Sequence, residues 1–342
     1  MVAYTHYETD NRARRYAEEL ARRGDHVDAV ALSLLDDLPA QEEISGVTVH
    51  RIQSRKYDER HMWTYAWRLL RFLVVSSIFL ARRHREIRYD LIHVHNIPDF
   101  LVFSAWYPIW TGAKLILDIH DIVPELFANK FKSRAGSIYI WFLKTMEKAS
   151  TKFADHVIVS NHMWYETLIS RSVPREKCSV FLNHVDLSIF YRHARTRDDG
   201  KVIVLFPGSF QWHQGLDIAI KAFVGVKKRL PNAELHLYGG RGGAERGLLQ
   251  LAEGLGLKGS VKIFQGVPVV VSRTKIDAYY FDDETVRFFP SGDVEALADA
   301  MVEVIEDKPL RDHLVERGLE YVDRKNWESR RKAYLALVDS LG

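Results

Sequence analysis

The sequence has little cysteine, proline or glycine: one Cys, ten Pro and twenty Gly among 342 residues. The single thiol, Cys178, cannot close a disulfide within the chain or supply a cysteine-rich zinc site, and this fits a reducing compartment. Hydrophobic residues make up 47% and charged residues 27% of the chain. That composition is typical of a folded globular protein, and it excludes collagen-like and disordered classes.

The sequence also lacks a long uninterrupted hydrophobic run. Its opening residues, MVAYTHYETDNRARR, soon turn polar and do not form a secretory signal, so we expect a cytoplasmic protein. The longest apolar stretch, residues 69–81, is shorter than the roughly 20 residues that span a bilayer, and it contains Arg71. We therefore predict no transmembrane helix. The net charge of +3 is too small to indicate a nucleic-acid partner.

Short apolar runs alternate with amphipathic patterns from the start of the chain. Residues 1–5 and 27–34 predict strands on either side of a helix at 11–23, which Gly24 ends. Further strands are predicted at 47–52, 91–94, 114–118 and 156–160, and further helices at 64–84, 100–110, 137–153 and 162–170. Repeated βα units predict an α/β fold with a doubly wound, mainly parallel sheet that binds ligands at the carboxyl ends of its strands.

A polar stretch at 191–200 predicts a linker, after which the pattern restarts. Strands are predicted at 202–206, 234–238 and 261–264, with helices at 215–230 and 245–255. The length suits two domains of ordinary size. The sequence therefore predicts two Rossmann-like domains, 1–190 and 191–326, which face each other across a cleft.

One region does not fit a parallel sheet. Residues 261–264 and 268–272 both have the pattern of buried strands, but only Gln265, Gly266 and Val267 separate them. Parallel neighbours need a crossover of about a dozen residues or more. Either the two runs form a hairpin, or they merge into one strand, or a segment is missing between them.

Five motifs follow one another along the chain: YDLIHVHNIPDF at 89–100, LDIHDIVPEL at 117–126, FLNHVDLSIF at 181–190, PGSFQWHQGLDIAIKAF at 207–223 and PVVVS at 268–272. In this order they resemble a family-4 retaining glycosyltransferase of GT-B fold. The resemblance implies an acceptor-binding domain at 1–190 and a nucleotide-sugar-binding domain at 191–326. It also implies a final helix at 327–341 that packs back on the first domain.

The implied reaction transfers a sugar from a nucleotide-sugar donor to a glycan or lipid-linked acceptor with retention. A role in cell-surface polysaccharide or glycoconjugate synthesis is one expectation. The nucleotide sugar is a substrate, and neither a cofactor nor a metal is expected. Helix amino termini after glycine-containing turns hold a diphosphate without a metal.

Two such turns are candidates for the donor site. The resemblance assigns donor binding to these two turns and their neighbours: Gly208, Ser209, Trp212, His213, Gln214, Gly215, Gly239, Gly240 and Arg241. Each turn alone is more often an ordinary turn, and the family order favours phosphate binding. Ser209 and Gln214 stand where the family commonly has Arg and Lys, so backbone amides or Arg241 must stabilise the diphosphate.

His120, in the sequence DIHD, is the candidate catalytic residue. The resemblance places it beside the donor sugar, near the reacting carbon, whereas a loop histidine held by hydrogen bonds explains it equally well without the resemblance. The acceptor side or cleft is expected to contain Asp10, Asn11, His95, Asn96 and Asp121, although Asp10 also suits an N-cap.

His93 and His95 alternate along one strand and so share a face. A metal needs more ligands, and no third is indicated, so a structural or acceptor-contacting role is preferred. In Asn183-His184-Val185-Asp186, His184 replaces the family's Gly, which leaves the backbone requirement of this turn open.

The family carries a βα segment with a Glu-x7-Glu pattern between strands that match 261–264 and 268–272. Nothing at 265–267 replaces it, so we predict an internal deletion of roughly 30 or more residues. The alternative function is then a catalytically impaired sugar-nucleotide-binding or assembly protein. A Rossmann oxidoreductase is disfavoured, because no G-x-G-x-x-G follows the first strand.

Residues 51–88 contain ten Lys and Arg against three Asp and Glu, and aromatic residues that include Trp63, Tyr65, Trp67, Phe72 and Phe79 lie between them. This pattern suits a helix that lies on an anionic membrane surface at the inner, cytoplasmic side. The alternative is a helix that packs on the sheet with a solvated basic rim, and the pattern favours this alternative slightly.

Overall fold

The computed structural model describes residues 1–35, 38–54, 62–128, 134–184, 200–207, 215–238, 245–257, 260–262 and 270–342. The chain divides into two compact units. Unit 1 comprises Met1–His184 together with Trp327–Gly342, and unit 2 comprises Val185–Asn326. The boundary predicted at 190/191 falls within 185–199, outside the described residues.

Unit 1 contains an eight-stranded sheet in the order β3-β4-β2-β1-β5-β6-β7-β8. Its strands are β1 Val2–His6, β2 Val27–Ser33, β3 Gln41–Ile44, β4 Val47–Ser54, β5 Leu91–His95, β6 Lys114–Ile119, β7 His156–Val159 and β8 Cys178–Val180. Each neighbouring pair is parallel except the edge pair of β3 and β4. The predicted parallel α/β sheet is confirmed.

The helices of the described residues are α1 Asn11–Arg23, α2 Met62–Glu86, α3 Trp106–Trp110, α4 Val123–Ala128, α5 Arg134–Phe153, α6 His162–Ile169, α7 Leu216–Arg229, α8 Glu245–Gly254, α9 Asp277–Tyr280, α10 Val294–Glu306, α11 Lys308–Arg324 and α12 Trp327–Leu341. Two short 3-10 helices span Asp99–Ala105 and Arg175–Lys177. The predicted helix at 100–110 is therefore a 3-10 helix followed by α3. Pro108, which has no N–H, interrupts α-helical hydrogen bonding there.

The two faces of the unit 1 sheet have separate cores. Along β6, Leu115 and Leu117 pack into the core that contains Phe72 of α2. Ile116 points the other way, into the core that contains Tyr16 of α1. This alternation follows from the period of two in a strand. Helices thus cover both faces, which explains why β6 is apolar at consecutive positions.

α1 carries the first residues of the site, and both its ends are fixed. The Asp10 side chain accepts hydrogen bonds from the backbone N–H groups of Arg12 and Ala13, and so caps the helix. Gly24 ends it with φ of +105°, a left-handed conformation that favours glycine.

α12 belongs to unit 1, although unit 2 precedes it in the chain. Trp327 and Tyr334 are buried, and the Tyr334 ring stacks on Tyr16 with 4.2 Å between centroids. The last helix therefore completes the core on the α1 side of the sheet.

Unit 2 contains β9 Val202–Pro207, β10 Ala233–Tyr238 and β11 Val261–Lys262 in one parallel sheet, and β12 Val270–Ser272 with β13 Arg287–Phe289 in another. Its core joins Phe223 of α7, Leu235 of β10 and Met301 of α10. A second Rossmann-like α/β unit is therefore present.

The two strands that flank the predicted gap do not pair with each other within the described residues. β11 pairs with β10, whereas β12 pairs with β13. The hairpin is thus not the arrangement seen. Residues 263–269, which include the predicted deletion point at 265–267, lie outside the described part of the chain.

Candidate functional site

A cavity of about 440 Å³ lies in unit 1 at the carboxyl ends of its parallel strands. Its lining residues are Thr5, Thr9, Asp10, Asn11, Arg12, His120, Asp121, Ser160 and Asn183. The end of β1 and the loop after it supply one wall, and residues after β6, β7 and β8 supply the others. This edge of the sheet is where a doubly wound fold binds ligands.

A buried ion pair supports the floor of this cavity. Arg12 of α1 donates from Nε to Asp118 Oδ2 at 2.7 Å and from Nη2 to Asp118 Oδ1 at 2.8 Å. Its Nη1 donates to the carbonyl of Phe181 at 2.8 Å. The side chains of Arg12 and Asp118 are 6% and 0% exposed. The guanidinium fork therefore joins α1, β6 and the segment after β8.

The ion pair fixes the charge of both groups. Burial acts to raise the pKa of Asp118, but the Arg12 charge and hydrogen bonds from histidines hold that pKa well below its usual range. Burial acts to lower the pKa of Arg12, and the Asp118 charge more than reverses this effect, so the pKa of Arg12 is raised. Both groups are ionised throughout the neutral range.

Two buried histidines lie beside the carboxylate. His93 and His95 stack with 4.4 Å between ring centroids, as their alternation along β5 predicts. Burial lowers the pKa of His95, and lowers that of His93 well below the usual range. Both rings are therefore neutral at pH 7. His93 Nδ1 lies 3.0 Å from the hydroxyl of Tyr334, which ties β5 to α12.

Two buried side chains fix the position of the His120 ring. Its Nε2 lies 3.3 Å from His95 Nδ1 and 3.5 Å from Asp118 Oδ2. His95 Nδ1 is itself 3.3 Å from the same carboxylate oxygen. No described residue bonds the Nδ1 of His120, and its side chain is 25% exposed. That nitrogen is therefore available to a ligand in the cavity.

The backbone of His120 is fixed as well. Its N–H donates to Asn96 Oδ1 at 2.8 Å, and its carbonyl accepts from Ser160 Oγ at 2.6 Å. Asn96 Nδ2 donates to Asp99 Oδ1 and to the Asp121 carbonyl, both at 2.8 Å. Because ring and backbone are both held, His120 is preorganised before any ligand binds.

The side chains of His93, His95 and Asp118 lie close enough together to suggest a metal site. Asp118 is thus the third candidate ligand that the sequence did not indicate. However, Arg12 already holds both carboxylate oxygens, and its fixed positive charge would repel a cation. The cluster acts as an ion pair with two neutral histidines, and the donor set does not fit a metal.

The structure separates the predicted residues of unit 1 into two groups. His120, Asp10, Asn11 and Asp121 line the cavity. His95 and Asn96, which we expected on the acceptor side, are buried and hold His120 instead. They differ from the expectation because His95 ends β5 and Asn96 follows it directly, and β5 is a central strand with β1 on one side and β6 on the other. Motif reasoning missed five lining residues, Thr5, Thr9, Arg12, Ser160 and Asn183, although Ser160 follows a strand end.

Most predicted donor-binding residues lie outside the described residues: Gly208, Ser209, Trp212, His213, Gln214, Gly239, Gly240 and Arg241. Gly215 is described, and its φ of +71° at the start of α7 favours glycine. His184 does not have a positive φ, since Ser45 is the one non-glycine residue in the described ranges that does. Replacement of the family's Gly by His184 therefore imposes no left-handed strain.

Models of two families match the chain. The glycosyl transferase 4-like domain matches residues 9–184, and glycosyl transferases group 1 matches residues 189–268. No curated protein matches the chain significantly in sequence.

Solved structures share the fold over the whole chain. The sucrose-phosphate synthase of Thermosynechococcus elongatus is 19% identical with a TM-score of 0.79, covering 99% of this chain and 98% of that one. A glycosyltransferase of Rickettsia africae is 12% identical with a TM-score of 0.71, covering 99% and 97%. Anabaena HepE, in complex with UDP and glucose, is 14% identical with a TM-score of 0.71, covering 99% and 98%.

These matches confirm the resemblance seen in the motifs, and the fold is GT-B. The first family model alone covers more than half of the chain, including every residue of the His120 site that follows β1. The chain belongs to the glycosyl transferase 4-like family and is a glycosyltransferase.

Proposed function

We propose that this glycosyltransferase moves a sugar from a nucleotide-sugar donor to a glycan or lipid-linked acceptor, with retention of the anomeric configuration. The observation that carries the proposal is the preorganised His120 at the edge of the unit 1 sheet. His120 lines the cavity and is 25% exposed. Its Nε2 lies near Asp118 and His95, and its Nδ1 has no hydrogen-bond partner among the described residues.

In this proposal the Nδ1 of His120 contacts a hydroxyl of the donor sugar. The fixed ring stays in place as charge develops on the sugar, so no reorganisation is needed at the moment of reaction. Asp10, Asn11 and Asp121 line the same cavity and offer oxygens and an amide to sugar hydroxyl groups. Retention is supported by the order of the five motifs, which resembles retaining enzymes.

A uridine nucleotide is the first donor base to test. Structures of Anabaena HepE were determined with UDP and with UDP-glucose. That likeness in fold supports a nucleoside diphosphate sugar as the donor class. No metal is needed in the proposal, because helix amino termini can hold the diphosphate.

We further propose that the acceptor belongs to cell-surface polysaccharide or glycoconjugate synthesis and that the enzyme works at the cytoplasmic face of a membrane. The basic, aromatic character of 51–88 supports this placement.

Thermal shift against UDP-, GDP- and ADP-sugars is the first experiment, because a ligand that binds the native state raises its apparent stability. Nucleoside diphosphate release is then measured with the sugar that shifts melting most. We expect His120→Ala to lower release at least tenfold while keeping the thermal shift. His26→Ala, an exposed histidine of the same unit, serves as the matched control and should leave release unchanged.

The anomeric configuration of the product, read by NMR, tests retention separately. An inverted product contradicts retention alone. A thermal shift without any release or transfer supports the alternative, a sugar-nucleotide-binding protein that does not turn over its ligand. If no nucleotide sugar shifts melting, the proposed donor class is wrong.

A further inference from the structure

The outward face of α2 carries an exposed apolar stripe. Trp67, Leu70, Val74 and Ile78 are 65%, 48%, 48% and 47% exposed. Their spacing of three or four residues places them on one side of the helix. In an ordinary surface helix this side carries polar groups. The stripe therefore needs a partner other than water.

α3 extends the same surface. Its Trp106 and Trp110 are 52% and 80% exposed. The indole N–H of Trp106 donates to Ser77 Oγ at 2.9 Å, which fixes α3 against α2. We call Trp67, Leu70, Val74, Ile78, Trp106 and Trp110 the apolar surface. A contiguous apolar patch of this size marks an interaction site.

α5 lies in the same layer of helices. Phe153 at its end packs on Phe103 of the 3-10 helix, with 5.2 Å between ring centroids, and both belong to the core that contains α2. Near the other end of α5, Ile138, Trp141 and Phe142 are exposed. The layer that covers this face of the sheet thus presents outward apolar residues on more than one helix.

Basic side chains border the apolar surface. Arg71 and Arg82 lie on the exposed side of α2 and form no ion pair with any described residue. Arg82 also borders a cavity of about 410 Å³ whose walls include Ile52, Val75 and Phe79. Arg85 lies over the Tyr107 ring, 5.0 Å from its centroid. The surroundings of the apolar surface therefore attract anions.

By length and composition, residues Thr64–Glu86 could cross a membrane, unlike the expectation from the sequence, and only 22% of the apolar window is buried. Its inner side is part of the protein core, where Phe72 is 0% and Leu80 is 3% exposed. Removing the helix would expose the core of unit 1. The helix therefore stays in the fold, and only its outer side is available to a partner.

We propose that the apolar surface docks in the plane of an anionic lipid bilayer, with α2 parallel to the membrane. This inference deepens the proposed function, because it supplies the surface that brings the enzyme to a lipid-linked acceptor. Three of the six side chains are tryptophans, which prefer the membrane interface because the ring is apolar and the N–H is polar. Arg71 and Arg82 then meet lipid phosphates.

Charge favours a bilayer over a second copy of this chain. In a twofold dimer through α2, the unpaired Arg71 and Arg82 of one copy would approach those of the other. Like charges brought together in an apolar interface are destabilising. An anionic bilayer presents the complementary sign over its whole area.

The test is flotation of the full chain, without donor or acceptor, with vesicles of phosphatidylcholine alone and with vesicles that also contain phosphatidylglycerol as the anionic lipid. We expect binding to the anionic vesicles. The triple variant Trp67→Ser, Val74→Ser, Ile78→Ser should bind at least roughly tenfold more weakly, since it removes three exposed apolar side chains whose burial in the bilayer favours binding. Leu319→Ser, an exposed apolar residue of unit 2, is the control.

A second variant, Arg71→Gln with Arg82→Gln, should lose preference for the anionic vesicles and keep its melting temperature. Lys275→Gln with Lys332→Gln makes the same change in net charge elsewhere and should bind as the wild type does. If the wild-type protein does not bind anionic vesicles, the proposal is overturned. It is also overturned if the serine variant and the arginine variant both bind as strongly as the wild type. A concentration-dependent dimer that the serine variant abolishes, without vesicle binding, also overturns it.

Nucleoside diphosphate release with a water-soluble acceptor separates this inference from the proposed function. Serine variants that lose vesicle binding should keep this release. If the chain binds vesicles but releases no nucleoside diphosphate, the proposed donor chemistry is wrong and the proposed docking surface is supported.

Discussion

Arg12 in the first turn of α1 holds both carboxylate oxygens of Asp118 in β6, with donor–acceptor distances of 2.7 and 2.8 Å. The two residues are 106 positions apart in the chain. Neither side chain has appreciable contact with water. The pair therefore joins the helix that lines the cavity to the strand that carries His120.

Loss of one partner should destabilise unit 1 strongly. Arg12→Gln leaves Asp118 as a buried charge without its cation, and we expect a loss of about 3–5 kcal/mol in the free energy of unfolding. Urea unfolding followed by circular dichroism measures it. Arg14→Gln is the control, because Arg14 pairs with Glu18 at a more exposed site of the same helix and should cost less than about 1 kcal/mol. Equal losses would contradict the assigned role of the buried pair.

Asp99 should make stability depend on pH. Burial raises its pKa to about 6, against the opposing effect of the Asn96 hydrogen bond. The folded state thus binds a proton that the unfolded state releases near pH 4. The contribution of Asp99 to the free energy of unfolding is therefore fully present below about pH 4 and is lost as the pH rises through about 6. The loss is on the order of 3 kcal/mol.

The measurement compares wild type with Asp99→Asn, which keeps an acceptor for Asn96 and does not titrate. Denaturant unfolding at several pH values between 4 and 7 gives the difference in stability. We expect the free energy of unfolding of the variant to rise relative to that of the wild type as the pH increases. A difference that stays constant across this range would show that Asp99 does not titrate as described.

Cys178 should be inert in the native protein. It is 7% exposed, and burial raises the pKa of its thiol to about 12, so little thiolate exists at pH 8. Iodoacetamide at pH 8 should leave the folded chain unmodified and add one carbamidomethyl group in 6 M guanidinium chloride (roughly the concentration that unfolds even very stable proteins). Intact mass spectrometry reads the result. Rapid modification without denaturant would contradict the burial of β8.

The hydroxyl of Tyr334 should contribute to stability through His93. Tyr334→Phe removes the partner of His93 Nδ1, and His93 Nε2 already has none within the described structure. We expect a loss of roughly 1–3 kcal/mol, the usual cost of an unsatisfied buried polar group. Tyr321→Phe, at a partly exposed tyrosine of α11, is the control. Thermal melting of both variants measures the effect, and equal melting temperatures would contradict it.

The local patterns of the sequence predicted a large part of the fold. Apolar runs at 91–94 and 114–118 became β5 and β6, and Asp10 and Gly24 set the ends of α1. β3 was missed because its sequence, QEEI, is polar and exposed at the sheet edge. β8 was missed because it has three residues, too few for a periodic signal.

The sequence predicted residues that line the cavity, but it did not predict the buried residues that support them. His120 was found because it follows a strand in a recognisable motif. The Arg12–Asp118 pair depends on sheet order and register, since β5 lies between β1 and β6 and pairs His95 with Asp118. No local pattern carries that information. The exposed side of α2 was equally hidden, because both sides of the helix are apolar and periodicity does not distinguish them.

The position of α12 has a consequence for how the chain is made. A ribosome completes residues 185–326 before it synthesises Trp327 and Tyr334, which close the core around Tyr16. Until then, the Tyr16 ring of α1 and His93 of β5 lack their contacts with Tyr334. The amino-terminal unit is therefore the last to finish folding during translation, even though its residues are the first to emerge.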